Sequence, residues 1–200
     1  MRRSEEVITK LIEQRLETGA DIAAIDRKIW SMFGETWAIF CSDMSGFTKR
    51  TDNFGIIHFL SLIHEMRKLV RPIALNYNGL IIKEEADNLL ILFRHPEDAL
   101  QCAITCHNTT TQYNTLRPED YTVKLSIGIG YGKILKLGDH DCFGAEVNHA
   151  FKLGEDTAKA DETLLTKSAY ESVKHLEGIA FREVKKDEED IFGHYYKLED

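Results

Sequence analysis

The chain has 200 residues, 43% of them hydrophobic and 10% aromatic, with a formal net charge of −8. That is enough apolar material for one domain with a real core, and it excludes disorder as the overall state. The acidic balance argues against a general nucleic-acid binder, which needs Lys and Arg to neutralise phosphates. A phosphorylated ligand is still compatible with it if a metal supplies positive charge locally.

No stretch approaches the ~20 apolar residues that span a bilayer. The opening MRRSEE lacks the apolar core of a signal peptide. A soluble, cytoplasmic protein without a membrane span is expected. The four cysteines have neither zinc-ribbon nor disulfide-framework spacing. Ala99, Cys102, Ala103 and Cys106 follow the i, i+3, i+4, i+7 rule of a buried helix face, so Cys102, Cys106 and His107 read as core and not as a metal cluster.

Residues 4–33 read as one amphipathic helix or two, broken at Gly19, with Gly34 ending the segment. The stripes Val7, Ile8, Leu11, Ile12, Leu16 and Ile22, Ile25, Ile29, Met32, Phe33 need a partner surface, either the same domain or a second chain. Thr36 to Met44 is a buried strand by its apolar run. A helix follows over about 55–77, with Pro72 placed to kink it. Gly79 opens two strands joined by a tight turn near Ala86, Asp87 and Asn88. Pro96 starts a helix ending near Asn114, and residues 121–137 read as a strand or hairpin. A helix over Glu146 to Ala158, a strand ETLLT, a helix over Lys167 to Leu176 and strands near 179–185 and 192–198 complete the chain. The order β-α-β-β-α-β predicts an α+β, ferredoxin-like fold with a mostly antiparallel sheet. No linker or repeat interrupts it, so residues 1–34 are read as an N-terminal helical extension and 35–200 as one catalytic domain.

Asp43 ends the first strand and Asp87 lies in the turn between the next two. Strands at such positions are neighbours in a ferredoxin-like sheet. Two carboxylates there can hold two divalent ions that bind a triphosphate, and magnesium suits one or two carboxylates plus substrate phosphates. Taken alone, each aspartate is equally an ordinary strand-end or turn residue. The SGFT turn, just before a helix, adds free backbone N–H groups suited to phosphate oxygens.

Four segments together carry a resemblance. FCSDMSGFT (Phe40 to Thr48) and KEEADNLLILF (Lys83 to Phe93) resemble the two metal motifs of class III adenylyl and guanylyl cyclases. LSIGIGYGKI (Leu125 to Ile134) is similar to the family's central strand, and DCFGAEVNHAFKL (Asp141 to Leu153) to its transition-state motif. Each motif alone is weak; four in order, at compatible spacing, are specific. The resemblance implies that Asp43 and Asp87, helped by the Met44 carbonyl, bind two ions, Mg2+ or Mn2+. It places Phe47 and Thr48 in the phosphate turn and Lys83 and Asp141 at the positions that read adenine. Asn148 would orient the ribose and Lys185, or Lys186, would bind phosphate.

Two departures stand out. Lys152 replaces the arginine expected four residues after the asparagine, keeping charge but losing the planar fork of donors. Ala86 replaces the glycine usual before the second aspartate. The resemblance further implies a homodimer, one chain giving Asp43 and Asp87 and the other Lys83, Asp141, Asn148 and Lys152. The expected reaction is ATP to cyclic AMP and pyrophosphate. The alternatives are a silent nucleotide-binding regulatory domain and a cyclase for GTP or a pyrimidine nucleotide. No GG-D/E-EF signature marks a diguanylate cyclase, and no aromatic RNP pattern marks an RNA-binding module.

Overall fold

The computed structural model describes residues 2–45, 54–185 and 194–199. Two helices come first, α1 (Arg2–Leu16) and α2 (Ile22–Phe33). They are separate because Gly19 takes a left-handed φ of 83° and Asp21 caps α2, accepting from the Ala24 amide at 2.9 Å. Both pack on their own domain: Leu11, Ile29 and Phe33 bury against Leu137. Arg15 and Asp26 join them at 2.7 Å.

The strands are β1 (Gly34–Met44), β2 (Leu80–Glu85), β3 (Asn88–Phe93), β4 (Leu125–Leu137), β5 (Asp141–Phe143), β6 (Glu162–Thr166), β7 (Ala180–Lys185) and β8 (His194–Glu199). They form one sheet in the order β2-β3-β1-β4-β6-β8-β7, with β5 paired to β4. Only β4 and β6 run parallel; the other pairs are antiparallel. The predicted plan holds. Residues 125–137 are one long strand, and the hairpin lies between β4 and β5.

Helices α3 (Ile56–Asn76), α4 (Pro96–Asn114) and α6 (Lys167–Val173) cover one face. Phe40, Met44, Ile91, Phe93, Leu125 and Ile127 point into them. Helix α3 runs through Pro72 as one element. Cys102 and Cys106 are fully buried in this core, and all four cysteines are free thiols.

Helix α5 (Ala145–Phe151) lies on the other face, over Ile39, Cys41, Leu90 and Leu92. The helix predicted over 146–158 is α-helical only to Phe151; Lys152–Thr157 widens into a π-helical turn. The cause is tertiary. A Cβ on Gly154 would sit 2.9 Å from the Cys41 carbonyl oxygen and the Gly128 amide nitrogen, and one on Gly128 would sit 2.0 Å from the Ala150 carbonyl oxygen. The helix rests backbone to backbone on β1 and β4, which only glycine permits. Glu146 fills the space beside Gly130 and Gly132, accepting from the Tyr131 amide at 3.1 Å and the Thr166 hydroxyl at 2.7 Å. Among the described residues no helix is long and apolar enough to cross a membrane.

Candidate active site

Antiparallel pairing of β1 with β3 sets Ser42 opposite Leu89, so the register carries Asp43 to Asn88 and the turn that holds Asp87. Residues 44 apart in sequence thus meet at one end of these neighbouring strands. On the other side Asp43 pairs with Ser126, whose hydroxyl donates to the Asp43 carbonyl at 3.4 Å. Asp87 is 8% exposed, and its carboxyl lies beside that of Asp43. Burial first, then the adjacent Asp87 carboxylate, push the Asp43 carboxyl up to about 7, against the Met44 amide that pulls it down. A cation between these carboxyls would offset their mutual repulsion.

The donor set fits a hard divalent cation. Asp43, Asp87 and Asn88 offer oxygen only, and the Asn88 Oδ1 is buried without a partner among the described residues. Among the described residues no group of three His, Cys, Asp or Glu is arranged to hold a metal unaided. A pair completed by substrate oxygens is the arrangement that magnesium accepts.

The turn carrying Asp87 is tight: Glu85 pairs with Asn88 across two residues. Its first loop residue, Ala86, has φ 49°, a left-handed conformation that costs a residue with a Cβ about 1 kcal/mol. Lys83 lies on β2, whereas Asp87 lies in the turn beyond it. Strand β2 stops at Glu85, and its register shifts between Ile81 and Lys83. The bulge buries Ile82 to 8% exposure.

Lys83 and Asp141 meet, Nζ to Oδ1 at 2.8 Å, because the β4–β5 hairpin folds back over β2. The Asp141 hydrogen bond raises the Lys83 ammonium above its ordinary value. Asp141 also accepts from the Cys142 amide at 2.8 Å. The two side chains present a cationic donor beside an anionic acceptor.

Asn148 is exposed on α5, and the Lys152 amide donates to the Asn148 carbonyl, so Lys152 stands one turn above it. Lys185 ends β7 opposite His194. Phe47, Thr48 and Lys186 lie outside the described residues. One acidic residue escaped the sequence reading. Glu155, in the π-helical turn, lies close enough to Asp87 for its carboxyl to be pushed up, chiefly by burial, then by Asp156 and Asp87. Its only sequence signal was a carboxylate after a glycine in a helix.

No family model matches the chain. It is 25% identical over 116 residues to a Rhizobium meliloti protein provisionally named adenylate cyclase 3. It is 22% identical over 130 residues to the serine/threonine-protein kinase pkn2 of Myxococcus xanthus. These matches cover 58% and 65% of this chain but only 20% and 15% of the relatives' lengths. Among solved structures, the adenylyl cyclase CyaB of P. aeruginosa matches with TM-score 0.68 at 22% identity, over 84% of this chain and 95% of that one. The guanylate cyclase domain of RhGC from Catenaria anguillulae, in complex with GTP, matches with TM-score 0.68 at 18% identity, over 82% and 96%. The resemblance read from four short motifs therefore extends over more than four-fifths of the chain: it has the fold of the class III adenylyl and guanylyl cyclase catalytic domains.

Proposed function

We propose that this chain is a nucleotide cyclase that converts ATP to 3′,5′-cyclic AMP and pyrophosphate. The observation that carries the reading is the Asp43–Asp87 carboxyl pair, held at the ends of neighbouring strands in a cyclase fold. Asp43 and Asp87, with the Met44 carbonyl, would hold two divalent ions, Mg2+ or Mn2+. When bound, the ions lower the pKa of the ribose 3′-hydroxyl and offset charge on the departing pyrophosphate. The hydroxyl oxygen would bond to the α-phosphorus while its proton passes to solvent, and the bond from that phosphorus to the bridging oxygen would break as pyrophosphate leaves.

The other residues bind and orient. The Lys83–Asp141 pair supports adenine, since an ammonium donates to N1 while a carboxylate accepts from the 6-amino group. Guanine presents the opposite pattern at those atoms. Asn148 would orient the ribose, and Lys152 would neutralise charge on the α-phosphate. Phe47 and Thr48 would hold the triphosphate with their backbone, and Lys185 would add a phosphate contact. Each site would form between two copies, one giving Asp43 and Asp87 and the other Lys83, Asp141, Asn148 and Lys152. Residues 1–34 then form an extension and 35–200 the catalytic unit.

A second reading, a silent nucleotide-binding domain, rests on Lys152. A lysine lacks the bidentate fork that grips a phosphoryl group in its transition state. Incubation with ATP, GTP, CTP or UTP and manganese or magnesium, with products identified by mass spectrometry, separates the readings. Cyclic AMP from the native chain and none from Asp43→Ala is the expected result. Nucleotide binding without any cyclic product selects the silent domain.

A further inference from the structure

Helix α3 reaches the Asp87 turn through two arginines one helical turn apart. The Arg71 guanidinium pairs with the Glu84 carboxylate, Nε to Oε1 at 2.6 Å. Arg67 does something different. Its Nη2 donates to two backbone carbonyls, Ala86 at 2.7 Å and Glu84 at 3.2 Å. These flank the entrance to the two-residue turn, and one belongs to the left-handed residue itself. The Arg67 Nε is meanwhile buried with no hydrogen-bond partner among the described residues. A guanidinium that leaves one donor buried and unsatisfied is held by its remaining contacts, and those contacts are the turn. A glycine at position 86 would adopt φ 49° freely; alanine does so only where its surroundings over-determine the conformation.

We propose that Arg67 is the positioning residue of the cation site: it clamps the strained Ala86 turn and thereby aims the Asp87 carboxylate at Asp43. The proposal rests on the reading of Asp43 and Asp87 as cation ligands. It assigns Arg67 no contact with substrate or cation. Its effect passes through the turn backbone, one residue before Asp87. Groups that orient ligands in this way commonly change metal affinity by about 10–100-fold when removed.

The test uses the full chain with Arg67→Met, which keeps an apolar stem and removes every donor, beside Arg67→Lys and Arg71→Met. Two readouts are taken. Hydrogen exchange of the amides at 86–89 reports on the turn without reference to activity. Calorimetric titration with Mn2+ alone reports on the cation site. Arg67→Met is expected to speed exchange at the turn and weaken Mn2+ binding by about tenfold. Arg67→Lys recovers part of both, because an ammonium still reaches a carbonyl. Arg71→Met changes neither by more than about twofold, since it removes only a surface ion pair. Unchanged exchange in a folded Arg67→Met protein overturns the clamp. Faster exchange with unchanged Mn2+ affinity overturns its positioning role. Equal losses in Arg67→Met and Arg71→Met reduce both to general staples of α3 and likewise overturn it. If the native chain binds no Mn2+, the cation reading fails with the positioning role, whereas the exchange data still decide the clamp itself.

Discussion

Raising the pH through 7 strips from Asp43 a proton that burial and Asp87 otherwise retain. The folded value of about 7 stands above the ordinary 3.8, so the folded state binds more protons across that interval. Stability of the metal-free protein must then fall as pH rises from about 4 through 7. Asp43→Asn is expected to flatten this slope and raise the metal-free melting midpoint near pH 8 by about 2–4 °C, solvent screening at a half-buried site limiting the gain. Thermal melts in EDTA at two pH values check it, and added Mn2+ should stabilise the native chain but not the variant. Lys152 gives a kinetic test. Lys152→Ala should lower kcat by about 10²–10³ with little change in KM, and Lys152→Arg should raise it, as steady-state assays would show. Lys83→Glu opposes two carboxylates where one ion pair stood, and kcat/KM for ATP should fall about 100-fold.

Elements differ in how openly the sequence announces them. The run Trp37 to Cys41 and the breaker pattern at Ala86–Asn88 are local, so β1, β2 and β3 were legible; their register was not, because β1 and β3 are buried on both faces and no single apolar face marks it. The π-helical turn over Lys152–Thr157 was not, because it depends on Gly154 meeting Cys41 and Gly128 across the sheet. The bulge at Ile82 was hidden for the same reason: a strand alternation carries no mark of where its partner slips. The site divides likewise. Motif order singled out Asp43, Asp87, Lys83 and Asp141 as candidates, whereas Glu155 and Arg67 reach the Asp87 turn across the fold and leave no local pattern. Gly128→Ala tests the backbone contact. Its Cβ would meet the Ala150 carbonyl oxygen at 2.0 Å, so α5 must lift. A loss of about 1–3 kcal/mol in denaturant unfolding is expected, with a fall in activity as Asn148 and Lys152 move.

For the whole molecule the decisive quantity is how many chains build one site. If Asp43 and Lys152 of one site come from different copies, Asp43→Ala and Lys152→Ala subunits complement each other. Random exchange makes half the dimers mixed, each with one intact site of two, so the mixture should recover about a quarter of the native rate. Recovery of none would place both residues in the same site of one chain.

Strand β1 also sets a schedule for the folding chain. It is an interior strand, flanked by β3 and β4, and both of these come later: β3 begins at Asn88 and β4 at Leu125. During synthesis at about 5–20 residues per second, β1 waits roughly 4–18 s for its full complement of hydrogen bonds. Through that interval Trp37 to Cys41 is an exposed apolar edge, open to pairing with the same segment of another nascent chain. The high sequence separation that brings the carboxyl pair together from distant strands thus also leaves β1 waiting for its partners, a topology of the slow-folding kind.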